Sequence, residues 1–486
     1  MFRMREQAGT SVSVSCSTDR LIYGDVHARH MAGAEYSRDL EVMLGDPKRA
    51  VLMMTLPLIL SYAIAQVNMF ADTAWCAGLG SSSSTALSTI IPYYWIIVGI
   101  GTGIGIGAAA SIARHLGRGE SDEAESLVVQ TLALSIIVGL VITVPLYLSL
   151  DPLMDAMSAG DVAEHCREYI VPIIFSSVIF VLNGAVAGLL RAEGAARKSM
   201  VMLIMAAIPN MILDPILIYG AGLGLTGAGI ATSVSALIST MLGLYWFLSG
   251  RMYLRISFKG FRIRWDQFRD VLAVGFPRMV EVFFICFLSI VQRIILIPKL
   301  GVMSSAMYNV PWSFVNLVIV ISQAAGAALV PVCSAALGAR DADKAEEAFR
   351  YISKISLISM SAIALVILIF ADWFVIPLSM DGSLEPYRDI YAYGLRVYML
   401  SIPFLALIDL GGSLLQALRR ARFPMYTAFL RNIVLILLIT MCTTMEEVFW
   451  SVFAIEVLGG SLNYILGRWF LARFRRYRCG TNPTGA

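Results

Sequence analysis

Beyond its first 45 residues the chain alternates long apolar runs with short polar connectors. A helix needs roughly 20 mainly apolar residues to cross a bilayer. Twelve runs qualify: 51–78, 86–113, 124–150, 166–190, 200–220, 227–249, 270–298, 305–335, 351–378, 387–415, 423–443 and 447–472. Several exceed what the hydrocarbon requires, which predicts tilt or extension past the lipid. The pattern is that of an all-α integral membrane protein with 12 transmembrane helices. Composition agrees: 58% of residues are hydrophobic and only 15% charged, against about 25% charged in soluble proteins. At a mean hydropathy of +0.74, no soluble fold of this length hides so much apolar side chain. Lipid-facing helices do not need to hide it.

The net charge of +3 is small, but its placement orients the chain. Short cytoplasmic loops carry Lys and Arg in excess. The connectors after the even spans hold Arg114 and Arg118; Arg191, Arg197 and Lys198; Arg251, Arg255, Lys259, Arg262, Arg264 and Arg269; Arg340, Lys344 and Arg350; and Arg419, Arg420 and Arg422. The other connectors, with the helix ends beside them, hold only Arg167, Lys299 and Arg388, so the count is 17 against 3. Both ends are basic as well, with Lys48 and Arg49 before the first span and four arginines at 473–478 after the last. The N and C termini are therefore expected in the cytoplasm. Residues 1–45 lack a signal peptide's apolar core and cleavage site and are expected to form a cytoplasmic tail; residues 473–486 form a second, basic one.

A repeat divides the membrane part. HLGRGESDEAE at 115–125 echoes ALGARDADKAE at 336–346, and Leu79-Gly80 echoes Leu300-Gly301 at the same 221-residue offset. LLRAEGAARKSM at 189–200 echoes LLQALRRARFPM at 414–425, offset by 225. The repeat unit is six spans, an even number, so both copies enter the membrane from the same side and are related by an axis along its normal. This predicts an N-lobe over 46–249, a basic linker over 250–269 and a C-lobe over 270–472. Two lobes of this kind suit alternating access, with substrate between them.

Ionisable groups inside hydrocarbon cost several kcal/mol, about 2.5–3.5 at a helix centre on insertion scales, and so mark candidate sites. Asp72 and Asp214 each lie ~9 Å below the outer end of their span at 1.5 Å per residue, and Thr232 ~8 Å below the same surface. Asn210 is one turn from Asp214 on the same helix face. Two carboxylates, an amide and a hydroxyl thus fall in one slab of the first lobe. All supply oxygen, which suits Na⁺, and the carboxylates equally suit a proton. The plain structural alternative is that Asp214 caps or kinks its helix beside Pro215 and that Asp72 faces a wet vestibule. Pro57 and Pro209 predict kinks in the helices that carry these groups. In the second lobe Glu281 is expected to pair locally with Arg278, Glu456 to be a packing polar group, and Asp409 to be a candidate for the central cavity.

Other signals carry less. GTGIGIG at 101–107 lies within an apolar span, where small residues let helices approach closely. His27 and His30 lie in the polar tail without a cysteine pair to complete a zinc site. The seven cysteines, Cys16, Cys76, Cys166, Cys286, Cys333, Cys442 and Cys479, are odd in number and lack a CxxC spacing, so they are expected to be free. No Walker A motif is present, and the basic linker is expected to line the membrane surface rather than bind nucleic acid.

Several stretches together resemble the MATE (multidrug and toxic compound extrusion) family. They are LGDPKRAVLMMTLPLILS at 44–61, VNMFADTAWCAGLG at 67–80, ARHLGRGESDEAE at 113–125, and LLRAEGAARKSM followed by PNMILDPILIYGAGLGLTGAGIATSVSA at 209–236. The likeness covers about residues 44–470 and is closer to the DinF-like and archaeal branch. The resemblance implies a cation-coupled antiporter that exports amphipathic organic cations against inward Na⁺ or H⁺, not an enzyme. It would need no cofactor beyond the coupling ion and would act as a monomer in the plasma membrane. It implies a coupling site at Asp72, Asn210, Asp214 and Thr232, a bending proline at Pro57 and a nearby tyrosine at Tyr169. Glu281 and Asp409 do not fall where another branch places its C-lobe acids, which argues against a cation site there. One rival is a lipid-linked oligosaccharide flippase of the same superfamily, expected to have extra helices and cavity arginines. Another is a membrane-embedded enzyme, for which only the carboxylate–Asn–Thr group would qualify.

Overall fold

The structure, a computed structural model, describes residues 36–156, 160–256, 262–301, 303–376 and 385–478. Cys16, Cys479, His27 and His30 lie outside them. No strand occurs among the described residues. The first lobe contains α1 (Tyr36–Leu44), α2 (Pro47–Ala77), α3 (Ser81–Gly117), α4 (Ser121–Leu148), α5 (Leu150–Ala156), α6 (Ala163–Phe175), α7 (Ser177–Ala192), α8 (Ala196–Pro215) and α9 (Gly224–Leu248). The second contains α10 (Trp265–Leu300), α11 (Met303–Gly338), α12 (Ala342–Ile369), α13 (Ala371–Val375), α14 (Arg388–Ala417), α15 (Arg422–Met441) and α16 (Met445–Arg478).

Eleven of these helices are long and apolar enough to span a bilayer, and the bent pair α6–α7 makes a twelfth span. One expectation needs correction. The fourth span is not one helix but two, bent by 59° at Ser176. Pro172 withdraws a backbone donor one turn earlier, and the Ser176-Ser177 pair offers competing hydroxyls: Ser177 Oγ donates to the Ile174 carbonyl at 2.6 Å. The repeat partner in the second lobe, α14, runs unbroken through the equivalent position. The fifth span also ends irregularly. After Pro215 the chain widens into an i→i+5 turn over Ile216–Gly220, closed by Ala221 N–H to the Ile216 carbonyl at 2.8 Å. By contrast α2 continues through Pro57 as helix.

The helices also run past the divisions drawn on the sequence. α1 lies within the segment expected as a tail and buries Leu40 and Met43; α10 starts at Trp265, and α16 continues to Arg478. Between the lobes, Met252, Tyr253 and Leu254 are buried, and the Tyr253 N–H donates to Glu193 Oε2 at 2.8 Å.

Packing divides the molecule along the membrane normal. One core crosses both lobes at the end that carries the termini, from Leu40, Ile104 and Ile112 to Val271, Leu329, Leu410 and Leu471. Toward the opposite end each lobe has its own core, around Leu87, Tyr169 and Ile218 in the first and Tyr308, Tyr398 and Phe449 in the second. Lobe-to-lobe polar contacts gather at the terminus-bearing end too: Lys48 pairs with Glu347 at 2.9 Å, and Arg114 donates to the Ala417 carbonyl.

The glycine run of α3 builds this junction. A Cβ at Gly105 would meet the Gly184 carbonyl oxygen of α7 at 2.2 Å, and one at Gly107 would meet the Val271 carbonyl oxygen of α10 at 2.2 Å. Glycines in this run thus face α7 in their own lobe and α10 in the other. Elsewhere the helices present large apolar side chains outward, such as Leu56, Leu140, Val144, Met241 and Ile465, as lipid contact requires.

Candidate functional site

Four helices of the first lobe converge in the half away from the termini. α2 brings Asn68 and Asp72, one turn apart on a shared face; α6 brings Tyr169, α8 brings Asn210 and Asp214, and α9 brings Thr232. Their side chains form a connected polar group in an apolar surround. Asn68 Nδ2 donates to Asn210 Oδ1 at 2.8 Å. Asn210 Nδ2 donates to Asp214 Oδ1 at 3.0 Å and lies 3.4 Å from Thr232 Oγ1. The Tyr169 hydroxyl donates to Asp72 Oδ2 at 3.3 Å, and the Cys76 thiol lies 3.8 Å from Asp72 Oδ1. Asp72 and Asp214 are near enough to repel each other when both are charged.

The local irregularities account for this convergence. The break at Ser176 lets α6 leave the line of α7, and α6 is the half that carries Tyr169. The wide turn after Pro215 follows Asp214 directly. Broken helices at membrane depth are tolerated where protein or a cavity covers the freed backbone, and such turns concentrate at functional positions.

Asp214 is 0% exposed and Asn210 2%. Asp214 Oδ2 and Asn68 Oδ1 are buried acceptors without a partner. An uncompensated carboxylate in so dry a place costs several kcal/mol. A proton on Asp214, or a hard cation shared with Asp72, removes that cost, and the available oxygens suit either. The six residues are thus a candidate monovalent-cation or proton site. Asp72, Tyr169, Asn210, Asp214 and Thr232, expected from the sequence, are brought together. Asn68 was not anticipated; its position one turn before Asp72 was the available signal. Pro57 lies well along α2 from the group.

Asp409 belongs elsewhere. It is in α14 and accepts a hydrogen bond from Ser322 Oγ at 2.6 Å. Glu281 pairs with Arg278 at 2.9 Å, as the spacing suggested. Glu456 is more than a packing group: it pairs with Arg431 of α15 at 2.7 Å, both largely buried. The five cysteines within the described residues are free and buried.

The fold and this site define a multi-pass helical membrane protein built from two repeated lobes. The MatE family model matches residues 57–216 and 277–441, and the chain belongs to the MatE family. Among curated relatives it is 22% identical over 246 residues to the "Probable multidrug resistance protein NorM" of Thermotoga maritima, covering 49% of this chain and 52% of that one. It is 24% identical over 361 residues to the FAD transporter of Shewanella oneidensis, covering 72% and 77%. It is 21% identical over 270 residues to the multidrug export protein MepA of a Staphylococcus aureus strain, covering 55% and 60%. The chain therefore spans from about half to three-quarters of the length of these relatives. Among solved structures, an outward-facing multidrug resistance MATE transporter of the MOP superfamily superposes with a TM-score of 0.86 at 24% identity, over 91% of this chain and 99% of that one. A MOP superfamily transporter from Pyrococcus furiosus, described as having a binding pocket of reversed polarity, gives the same TM-score, identity and coverage.

Proposed function

We propose that the chain is an antiporter of the plasma membrane that exports amphipathic organic cations in exchange for inward Na⁺ or H⁺, with coupling carried by Asp72 and Asp214. The observation that carries this reading is the dry Asp214 carboxylate with one partnerless oxygen, beside Asp72 and the partnerless Asn68 amide oxygen. The excess of Lys and Arg argues that the terminus-bearing end faces the cytoplasm. Lobes joined at that end and separately packed at the other then fit an outward-open state. A cation or proton entering from outside cancels the repulsion between the carboxylates. That draws α2 toward α8, with Pro57 as the flexible point, narrows the first-lobe cavity and expels the solute outward. Loss of the ion to the cytoplasm reverses the change. Ion binding drives this only through its different affinity for the two states.

Arg278 and Arg431 favour a second reading, an anionic solute, for which the FAD transporter of Shewanella oneidensis is a precedent. Each arginine has a carboxylate partner, which neutralises it and favours the cationic reading. The test is efflux from proteoliposomes with Na⁺ and H⁺ gradients imposed separately, using a panel of cationic dyes and a flavin dinucleotide. Gradient-driven movement of the dyes supports the proposal. Movement of the flavin alone supports the second reading, and movement of neither refutes both.

A further inference from the structure

The turns on the terminus-bearing face hold a feature outside the first-lobe polar site. The repeat aligns Gly119 with Arg340, and Gly194 with Arg419. All four are left-handed residues that close a helix, with φ of 76° and 81° at the glycines and 63° and 59° at the arginines. The capping bonds match as well: Glu120 N–H to the His115 carbonyl at 2.9 Å against Asp341 N–H to Ala336 at 2.8 Å, and Ala195 N–H to Leu190 at 3.0 Å against Arg420 N–H to Leu415 at 2.8 Å. Glycine enters this conformation without penalty, whereas a long side chain is strained there. Among the described residues these two arginines are the only non-glycine positions with positive φ. Strain kept at two related positions points to a use for the side chains.

Both arginines lie at the seam between the lobes. There Gly117 and Gly338 are back to back, so close that a Cβ on Gly117 would meet the Ala335 carbonyl oxygen at 2.0 Å and one on Gly338 would meet that of Arg114 at 2.2 Å. Beside this contact is a recess of 460 Å³, lined by Arg114 and Arg118 from the first lobe, Arg340 and Phe474 from the second, and by Leu337 and Glu120. Arg419 lies next to it, near enough to Arg114 and Arg118 to repel both. Burial and the neighbouring Arg118 hold the Arg419 guanidinium below its ordinary range. Few anions balance these cations: Glu120 is shared between His115 at 2.6 Å and Arg118 at 3.7 Å, and Asp270 pairs with Arg419. Arg114 Nε is buried without a partner.

We propose that this recess binds a phosphate-bearing anion, supplied by the head group of an anionic membrane lipid. Guanidinium forks match phosphate oxygens, and basic pockets between helices at the membrane surface are the usual seats of such head groups. Leu337 and Phe474 give the recess an apolar edge suited to the start of an acyl chain. Because both lobes contribute arginines, the site is complete only while the lobes are closed at this end. An occupied recess therefore stabilises that closed state by its difference in affinity, whatever solute is carried.

The test places the purified full-length protein in nanodiscs of phosphatidylcholine, with or without phosphatidylglycerol, and reads the thermal midpoint. Phosphatidylglycerol should raise the midpoint, and inorganic phosphate at matched ionic strength should not. Arg340→Asn removes the charge while keeping a residue that tolerates positive φ, so its midpoint in phosphatidylcholine should not fall. Combined with Arg118→Gln it should abolish most of the rise, whereas Glu120→Gln should enlarge it. Arg197→Gln with Arg255→Gln, an equal loss of charge outside the recess, should leave the rise intact. No rise in the wild type, an undiminished rise in the Arg118/Arg340 variant, or an equal loss in the control pair would overturn the site. A rise reproduced by inorganic phosphate would overturn the lipid as the source and assign the recess to a free anion.

Discussion

Replacing Asp214 by Asn separates the charge of the candidate coupling site from its shape. The volume is conserved, and the amide oxygen still accepts from Asn210 Nδ2, now 3.0 Å from Asp214 Oδ1. The new Nδ2 takes the place of an oxygen that already lacks a partner. A buried unsatisfied amide donor costs about 1–3 kcal/mol, but the unpaired charge it replaces was itself costly in the 0% exposed position. Asp214→Asn should therefore insert and fold within about 1 kcal/mol of the wild type, the range of a mild substitution. Transport should respond very differently. A tenfold ion gradient supplies about 1.4 kcal/mol per coupled monovalent ion, enough for about a tenfold solute ratio with one ion and about a hundredfold with two. In Asp214→Asn, and likewise in Asp72→Asn, that ratio should collapse to about unity, the value expected without any gradient-derived energy. The assay is dye accumulation in proteoliposomes at matched protein content, with folding checked by thermal midpoint. A wild-type ratio in both variants would refute the reasoning and leave the two carboxylates as structural groups.

Asp409→Asn should keep the gradient-driven ratio in the same assay, with changed preference among solutes, because Asp409 pairs with Ser322 within the second lobe, outside the first-lobe group; full loss of coupling would move the site to the second lobe. Arg431→Met should destabilise the protein by about 3 kcal/mol, since it strands a buried Glu456, whereas Arg431→Met with Glu456→Leu should recover most of that loss in thermal denaturation. Burial pushes the Glu193 carboxyl, outside the spans, from its ordinary 4.5 up to about 8. A raised folded-state value means that its stabilising contribution is full below about pH 4.5 and is lost as pH rises through about 8. Protection of the Tyr253 and Leu254 amides, taken relative to their intrinsic base-catalysed exchange, should accordingly fall over that window, and Glu193→Gln should flatten the response. Cys16 and Cys479 should react with an impermeant maleimide only after the membrane is opened, and labelling of either in intact cells would overturn the assigned orientation.

The sequence alone determined the number of spans, the six-span repeat and the depth at which Asp72, Asn210, Asp214 and Thr232 lie. These depend on local rules: 1.5 Å per residue along a helix, apolar length against bilayer thickness, and a repeat readable as identity at fixed offset. The glycine run in α3 was also legible as a packing surface, because small residues at that spacing have few other uses in lipid. What needed the tertiary structure was every relation between helices. The bend at Ser176 depends on what α6 packs against, since a proline or serine pair in a span is compatible with an unbroken helix, as α2 is through Pro57. Asn68 joins the site only because α2 and α8 face each other with a particular rotation, which an apolar run without a clear polar face leaves open. Arg431 and Glu456 are 25 residues apart and pair across α15 and α16. The recess at the seam combines residues from 114 to 474. Hydropathy fixes where a helix crosses the membrane, but its rotation about its own axis is set by the side chains of its neighbours, and that rotation decides which polar groups meet.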